Sequence, residues 1–297
     1  PNSLSPFFST DANSQNINRL VNGSLIDFDI NMKPICQLCE SYEEFRTIDS
    51  YKIRFKLKEN IYFSNGEKIT ARSVKQSHYY FTETEKIKSI FRFAFSNITE
   101  VKILDKYTFE LIYKSYGLDH LPNLVLFKII QIPNYKTLDQ VELNDIVGAG
   151  DYRITDIKPL QIDLKSNIEG RQDLSFVVVK DETTLALKLV KGEIDLSVSN
   201  ISPRKVNYLI NKGSVKVKKV LGTDYNYIGL NQRKEQLQNL KVRKALSHLI
   251  PREKIIKYKF KNYAVASNGL FAKSFEKFYL DSPVDTYDPA KAKFLFI

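Results

Sequence analysis

Apolar and polar residues alternate most strictly in the run that begins at Tyr51. Apolar side chains occupy every second position from 51 to 57, and Lys or Arg fills the positions between them. A period of two places successive side chains on opposite faces, so this run predicts a strand with one face in water. The same alternation predicts further strands over 107–113, 152–157 and 160–164.

Helical spacing appears first near the amino end, where Ile17, Leu20 and Val21 recur at intervals of three and four residues. Such a stripe predicts an amphipathic helix. Similar spacing predicts helices over 71–81, 182–190, 203–211, 240–250 and 252–258. Asn65-Gly66 predicts a tight turn, because both residues tolerate a positive φ. Gly192 suits a helix C-cap for the same reason.

The second half of the chain alternates predicted strands with predicted helices. An apolar run at 176–179 has no polar face and predicts a central strand. Three further runs, 194–198, 215–221 and 225–230, predict strands between the helices. Strands and helices of these lengths in alternation predict an α/β layer with partly parallel pairing.

The size and the charge of the chain limit the number of domains and the kinds of partner that we expect. At 297 residues the chain is longer than a domain with a single hydrophobic core usually is, which predicts about two or three domains. The net charge of +11 would suit nucleic acid or an anionic surface, but lysines occur along the whole length and no nucleic-acid-binding motif accompanies them. We predict a lysine-rich solvated surface and no nucleic-acid partner. The absence of an apolar run of roughly 18 residues predicts that no segment spans a membrane.

Cys36 and Cys39 form a C-x-x-C pair. Neither a redox pair nor half of a zinc site is favoured, because the chain has no second cysteine pair and its histidines lie far away, at 78, 120 and 248. Two buried structural cysteines are the first expectation. A local disulfide is the second.

Motifs for catalysis or cofactor binding are missing. Gly148-Ala149-Gly150 lacks the third glycine of a dinucleotide fingerprint and the lysine of a P-loop, and it predicts a hinge-like turn. The three histidines sit in no nucleophile elbow or metalloprotease motif. We therefore predict a protein that is not an enzyme, with no catalytic residues, no bound metal and no cofactor.

The stretch Asp224 to Asn231 differs from the chain's other aromatic segments. There an apolar strand ends in tyrosines, asparagines and a glycine, immediately before the pattern becomes helical. Aromatic residues on strands mostly pack in cores, which is the alternative here. Strand ends between domains are, however, places where ligands bind in clefts.

The segment Tyr51 to Val74 resembles the signature of the extracytoplasmic solute-binding proteins of family 5, the oligopeptide-, dipeptide- and nickel-binding components of ABC importers. Other segments resemble motifs of that family, in the family's order: Asn22-Gly23-Ser24-Leu25, Leu38-Cys39-Glu40-Ser41-Tyr42, Gly148-x-Gly150-x-Tyr152, Gly192-Glu193-Ile194-Asp195, Tyr227-Ile228-Gly229-Leu230-Asn231, Val242-Arg243-Lys244-Ala245-Leu246 and Tyr287-Asp288-Pro289-x-Lys291-Ala292.

Three departures from the family pattern stand out. Residues 166–173 replace the usual asparagine-proline-aromatic segment, and the chain has no Trp. Cys36 and Cys39 occupy positions where proline and alanine are common. The chain ends just after Lys291-Ala292, whereas the family continues through most of a second lobe. The resemblance therefore implies an N-terminal portion.

The resemblance implies an α/β fold of the two-lobe, periplasmic-binding-protein-like kind (type II). Residues 1–34 and 148–231 would form the first ligand-binding lobe, 35–147 an inserted α+β domain, and 232–297 the start of an incomplete second lobe. By position, the ligand-facing residues would be Asp11, Ala12, Asn13, Tyr225, Asn226 and Tyr227.

The implied function is to bind an oligopeptide or dipeptide outside the membrane and deliver it to the transmembrane subunits of an ABC permease. A nickel chelate or an oligosaccharide is the alternative ligand within the family, and a cytosolic or enzymatic derivative of the fold is the alternative class. A monomer is expected in the periplasm or at the cell surface, attached to the membrane only through a signal or lipid anchor absent from this sequence.

Overall fold

The structure is a computed structural model that describes residues 3–29, 33–48, 50–133, 143, 146–198, 201–220, 222, 224–267, 269, 271, 279 and 283–296. The chain forms two compact units, residues 1–178 and residues 179–297, and each is described by itself. The domain boundaries expected from the resemblance, after residues 34, 147 and 231, stay predictions.

The first unit contains four helices and eleven strands among its described residues. The helices are α1 (Ala12–Val21), α2 (Ala71–His78), α3 (Arg92–Phe95) and α4 (His120–Asn123). The strands are β1 (Ile26–Phe28), β2 (Pro34–Cys36), β3 (Cys39–Arg46), β4 (Tyr51–Leu57), β5 (Ile98–Ile103), β6 (Thr108–Tyr113), β7 (Ile130–Gln131), β8 (Val147–Gly148), β9 (Tyr152–Lys158), β10 (Gln161–Ser166) and β11 (Leu174–Val177).

A four-stranded antiparallel sheet, in the order β3-β4-β6-β5, forms the centre of this unit. The apolar side chains of β4, from Tyr51 to Leu57, are buried, while its lysines and arginine are partly or fully exposed. The predicted strands over 51–57 and 107–113 are therefore confirmed. On the face that carries Lys52 and Arg54, the buried carboxylate of Glu110 accepts hydrogen bonds from Lys52 at 2.8 Å and from Arg54 at 2.7 Å.

The predicted turn and helix after β4 are also present. Gly66 has a φ of +88°, and the backbone N–H of Gly66 donates to the carbonyl of Phe63 at 2.9 Å. Thr70 is the N-cap of α2, and its backbone N–H donates to the Ser73 hydroxyl at 3.1 Å. A π-helical turn over Tyr79–Glu83 then extends α2.

A second antiparallel sheet, β11-β10-β9, confirms the two strands predicted after the Gly148-Ala149-Gly150 turn. The prediction of a central strand at 176–179 is wrong. Strand β11 pairs only with β10 among the described strands, and the Val177 side chain is 45% exposed. Partly parallel pairing is also not found, since every described strand pair is antiparallel.

The second unit is helical in its described part. Its helices are α5 (Glu182–Lys191), α6 (Pro203–Lys212), α7 (Glu235–Gln238), α8 (Leu240–His248), α9 (Arg252–Lys254, continued by a π-helical turn over Ile255–Lys259) and α10 (Pro289–Phe296). Gly192 ends α5 with a φ of +72°, as predicted. Leu185, Leu189 and Leu209 form a small core between α5 and α6.

The strands predicted over 194–198, 215–221 and 225–230 do not form in the described part of this unit. Their side chains largely face water, as at Leu196 and Tyr227. An apolar alternating run becomes a strand only when another strand supplies its hydrogen-bond partners. No described strand lies beside any of these three runs.

Cys36 and Cys39 form a disulfide. The first expectation, two buried structural cysteines without a disulfide, is therefore wrong, and the second, a local disulfide, is found. The disulfide closes the turn between β2 and β3, where the backbone N–H groups of Gln37 and Cys39 both donate to the carbonyl of Leu25. The Gln37 side chain accepts a hydrogen bond from the backbone N–H of Ser24 at 2.7 Å.

Lys128 is buried beside the same segment, with 3% of its surface exposed. Its ammonium group donates to the hydroxyl of Ser24 and to the carbonyl of Val125, each at 2.8 Å. The Ser24 hydroxyl also donates to the Val125 carbonyl, at 3.0 Å. Burial lowers the pKa of Lys128 to about 8, because removal from water disfavours the charged form.

Candidate ligand-binding site

Tyr225 and Tyr227 form a stacked aromatic pair in the second unit. Their ring centroids are 5.8 Å apart and their planes differ by 17°. Residues two positions apart in an extended chain project to the same side, which explains why the rings meet. The Tyr227 side chain is 75% exposed and Asn226 is also exposed. An aromatic surface and an amide therefore face water together.

The backbone of this segment is available for hydrogen bonding. Residues 224–230 are outside every helix and strand, and their peptide groups form no backbone hydrogen bond with a described residue. Gly229 leaves room beside the tyrosine pair, since a Cβ there would lie 3.6 Å from Cε2 of Tyr227. Main-chain N–H and C=O groups in such a segment can pair with an extended peptide.

Asp11, Ala12 and Asn13 lie at the start of α1 in the first unit. The Asp11 carboxylate caps this helix by accepting hydrogen bonds from the backbone N–H of Ser14, at 3.0 Å, and from the Ser14 hydroxyl. Ala12 and Asn13 occupy the first helical turn and are exposed. Asp11 thus has a structural role that its position in the family pattern did not indicate.

The two groups of predicted site residues belong to different units. Asp11 to Asn13 come together in one helical turn, and Tyr225 to Tyr227 in one extended segment. That both groups contact one ligand stays a prediction.

The first unit also contains a cavity of about 210 Å³ that the sequence does not predict. It lies alongside α1 and the 147–148 strand, and its polar lining includes Asn18, Asn22 and Arg153. Asn22 is buried, and its amide group donates to the side-chain oxygen of Asn18 at 2.7 Å. Nothing in the local pattern marks these residues, because the cavity is formed by segments more than a hundred positions apart in sequence.

The three histidines are buried at separate places. His78 is next to Thr82 and Glu83 at the end of α2, and burial lowers the pKa of its imidazole. His120 stacks on Tyr113 with ring centroids 4.3 Å apart. His248 contacts the carbonyl of Thr286 at 2.8 Å. The described residues contain no group of three or more His, Cys, Asp or Glu side chains that could hold a metal ion.

Comparison with known proteins identifies what this arrangement is similar to. The family model described as "Bacterial extracellular solute-binding proteins, family 5 Middle" matches residues 33–296. The nickel-binding periplasmic protein of Escherichia coli (strain K12) is 25% identical over 263 residues, which are 81% of this chain and 48% of that protein. The glutathione-binding protein GsiB of Pectobacterium atrosepticum is 25% identical over 301 residues, which are 98% of this chain and 58% of that protein.

The solved structures include the oligopeptide-binding protein AppA of Bacillus subtilis in complex with a nonapeptide. It superposes with a TM-score of 0.81 at 21% identity, covering 98% of this chain and 60% of the other. This likeness confirms the predicted fold class, the periplasmic-binding-protein-like α/β fold of type II. The chain spans about half the length of the curated relatives it matches. Among the described residues, no helix has the length and apolar character needed to cross a membrane.

Proposed function

Because the chain belongs to the bacterial extracellular solute-binding proteins of family 5, we propose that it is the peptide-binding component of an ABC importer. It binds an oligopeptide or dipeptide outside the membrane and passes the ligand to the transmembrane permease subunits. We propose further that it acts as a monomer, held at the membrane by a lipid anchor or retained in the periplasm.

The extended segment around Tyr225–Tyr227 carries this proposal. Its peptide groups are unpaired among the described residues, and its stacked rings face water. Backbone pairing gives affinity for a peptide main chain whatever its side chains are, and aromatic surfaces accept varied side chains by apolar contact. This combination suits a ligand recognised mainly through its backbone.

The names of the relatives support a peptide ligand. One relative is named for glutathione, and the Bacillus subtilis protein was crystallised with a nonapeptide. The Escherichia coli relative is named for nickel, which keeps a nickel chelate as the second candidate ligand.

Titration calorimetry of the chain with mixed tri- to pentapeptides tests the proposal. We expect heat of binding, and we expect Tyr227→Ala to weaken binding about threefold to tenfold, the contribution of one aromatic contact. Tyr258→Ala is the matched control, because Tyr258 is also an exposed tyrosine (63%) of the same unit but lies outside the extended segment. Its affinity should equal that of the unchanged chain.

Two results would contradict the peptide assignment. One is the absence of heat with every peptide when the nickel–histidine complex does bind, which would move the assignment to a metal chelate. The other is equal weakening by the two tyrosine substitutions, which would remove the extended segment from the site.

A further inference from the structure

The net positive charge of this chain comes entirely from its second unit. Residues 179–297 contain 23 Lys and Arg against 11 Asp and Glu, a net charge of +12. Residues 1–178 contain 22 Lys and Arg against 23 Asp and Glu, a net charge of −1. Lysines do occur along the whole length, as the sequence shows, but acidic residues balance them only in the first unit.

Within the second unit the charge is concentrated between residues 203 and 261. This stretch has 16 Lys and Arg and only 3 Asp and Glu. A segment of one sign this dense repels itself unless a counter-charge lies nearby, and it is typical of a surface that binds a polyanion.

Six lysines on the two chain segments that meet at Tyr263 are grouped here under the name basic patch. They are all exposed, and none of them is in an ion pair with a described residue. The patch consists of Lys212, Lys216, Lys218, Lys219, Lys257 and Lys259.

Tyr263 joins the two chain segments that supply the patch. Its hydroxyl donates to the side-chain oxygen of Asn207 on α6 at 3.2 Å, and its ring lies 4.3 Å below the ammonium group of Lys219. The segment after α6 and the segment around 257–263 therefore meet at this tyrosine, although more than 40 positions separate them in sequence.

Aromatic rings accompany the lysines of the patch. The ammonium group of Lys212 lies 5.8 Å from the ring of Tyr208, that of Lys257 lies 5.5 Å from Tyr258, and that of Lys259 lies 5.6 Å from Phe260. Tyrosine and other amphipathic rings are enriched at the headgroup level of membranes. Lysine carries its charge on a flexible stem, so it reaches lipid phosphates while its neighbours contact the interface.

We propose that the basic patch binds the anionic headgroups of a phospholipid membrane surface. Exposed lysines without acidic partners can pair with the negatively charged lipid phosphates, and the neighbouring aromatic rings can lie at the membrane–water interface. Family members are extracellular, where a membrane leaflet is an abundant anionic surface and nucleic acid is not the expected partner. The proposal does not depend on which ligand the chain transports.

Vesicle co-sedimentation of the chain tests this binding. The two vesicle types are phosphatidylcholine alone and phosphatidylcholine with about one-third phosphatidylglycerol. We expect binding only to the anionic vesicles, with an affinity that falls as salt is raised, because each lysine near such a surface contributes roughly a fivefold factor in binding.

The decisive variant changes four patch lysines to glutamine, at 216, 218, 257 and 259. If at least two of these lysines contact the surface, binding should fall by roughly 25-fold or more. The control changes four exposed first-unit lysines, at 75, 102, 114 and 165, and removes the same charge. The control should bind within about twofold of the unchanged chain.

The proposal would be overturned by equal binding to neutral and anionic vesicles, or by a loss in the control as large as that in the patch variant. Tighter binding of a DNA oligonucleotide than of anionic vesicles at the same salt would also overturn it. Circular dichroism spectra of both variants verify that the loss of binding is not a loss of fold.

Discussion

Lys128 makes the stability of the first unit depend on pH above about 8. Its ammonium group is buried against Ser24 and the carbonyl of Val125. Burial lowers its pKa in the folded protein to about 8, from the ordinary value of 10.5 that it regains on unfolding. Between these two values the unfolded chain binds more protons than the folded chain, so stability must rise with pH.

The size of the effect follows from the two pKa values. Below pH 8 both states carry the proton and the cost of burying the charge is present in full. Raising the pH from about 7 to about 10 deprotonates Lys128 in the folded protein first, which should stabilise it by about 2.5 kcal/mol.

Lys128→Met measures this contribution, since methionine keeps much of the volume without the charge. Urea unfolding gives the free energy of unfolding of both proteins at pH 7 and at pH 10, and the difference between the two proteins is taken at each pH. Contributions from other titrating groups are common to both proteins and cancel in these differences. The unchanged chain should gain about 2.5 kcal/mol relative to the variant at the higher pH. Lys102→Met, at an exposed position, keeps Lys128 and should gain the same amount as the unchanged chain between pH 7 and pH 10. A difference between Lys128→Met and the unchanged chain that is the same at both pH values would refute the reasoning.

Two further predictions concern the packing of the first unit. A Cβ at Gly150 would lie 2.2 Å from the carbonyl oxygen of Leu20, so Gly150→Ala should lower the free energy of unfolding by about 3 kcal/mol and the melting temperature by several degrees. Gly229→Ala, whose Cβ meets nothing closer than 3.6 Å, is its control, and equal melting temperatures for the two variants would contradict the steric explanation. The Cys36–Cys39 disulfide closes a loop of only four residues, so replacing both cysteines with serine should cost about 2 kcal/mol; a cost above about 5 kcal/mol in urea unfolding would show that more than loop closure is lost.

The elements that the sequence predicted well are those whose information is local. The alternation from Tyr51 to Leu57, the positive φ of Gly66 and the left-handed cap at Gly192 each depend on a few neighbouring residues, and all three are found. Pairing depends on distant residues. The run at 176–179 is typical of a central strand because its residues are all apolar, yet its first two residues belong to the edge strand β11.

The candidate site shows the same limit. Tyr225 and Tyr227 could be expected to share one side of an extended segment, and they do stack. That Asp11 faces a ligand stays a prediction. Its carboxylate also caps α1 by accepting from the backbone N–H of Ser14, a role that can be recognised only once the start of the helix is known. The cavity beside Asn18 could not be predicted from the sequence, because it depends on how distant segments fold together. The charge difference between the units could be calculated only once the boundary between them was known.

The central sheet sets an order for the assembly of the first unit. Strands β5 and β6 pair across a short connection, since Ile103 lies opposite Phe109. Strand β4 pairs with β6 over a much longer separation, with Lys56 opposite Thr108, and α2 and α3 lie between them. Closing a loop of about 50 residues costs roughly 3.5 kcal/mol of chain entropy before any contact forms. The β5–β6 hairpin can therefore form early. The β4–β6 pairing forms only after the intervening helices have become compact, and this later step limits the folding rate.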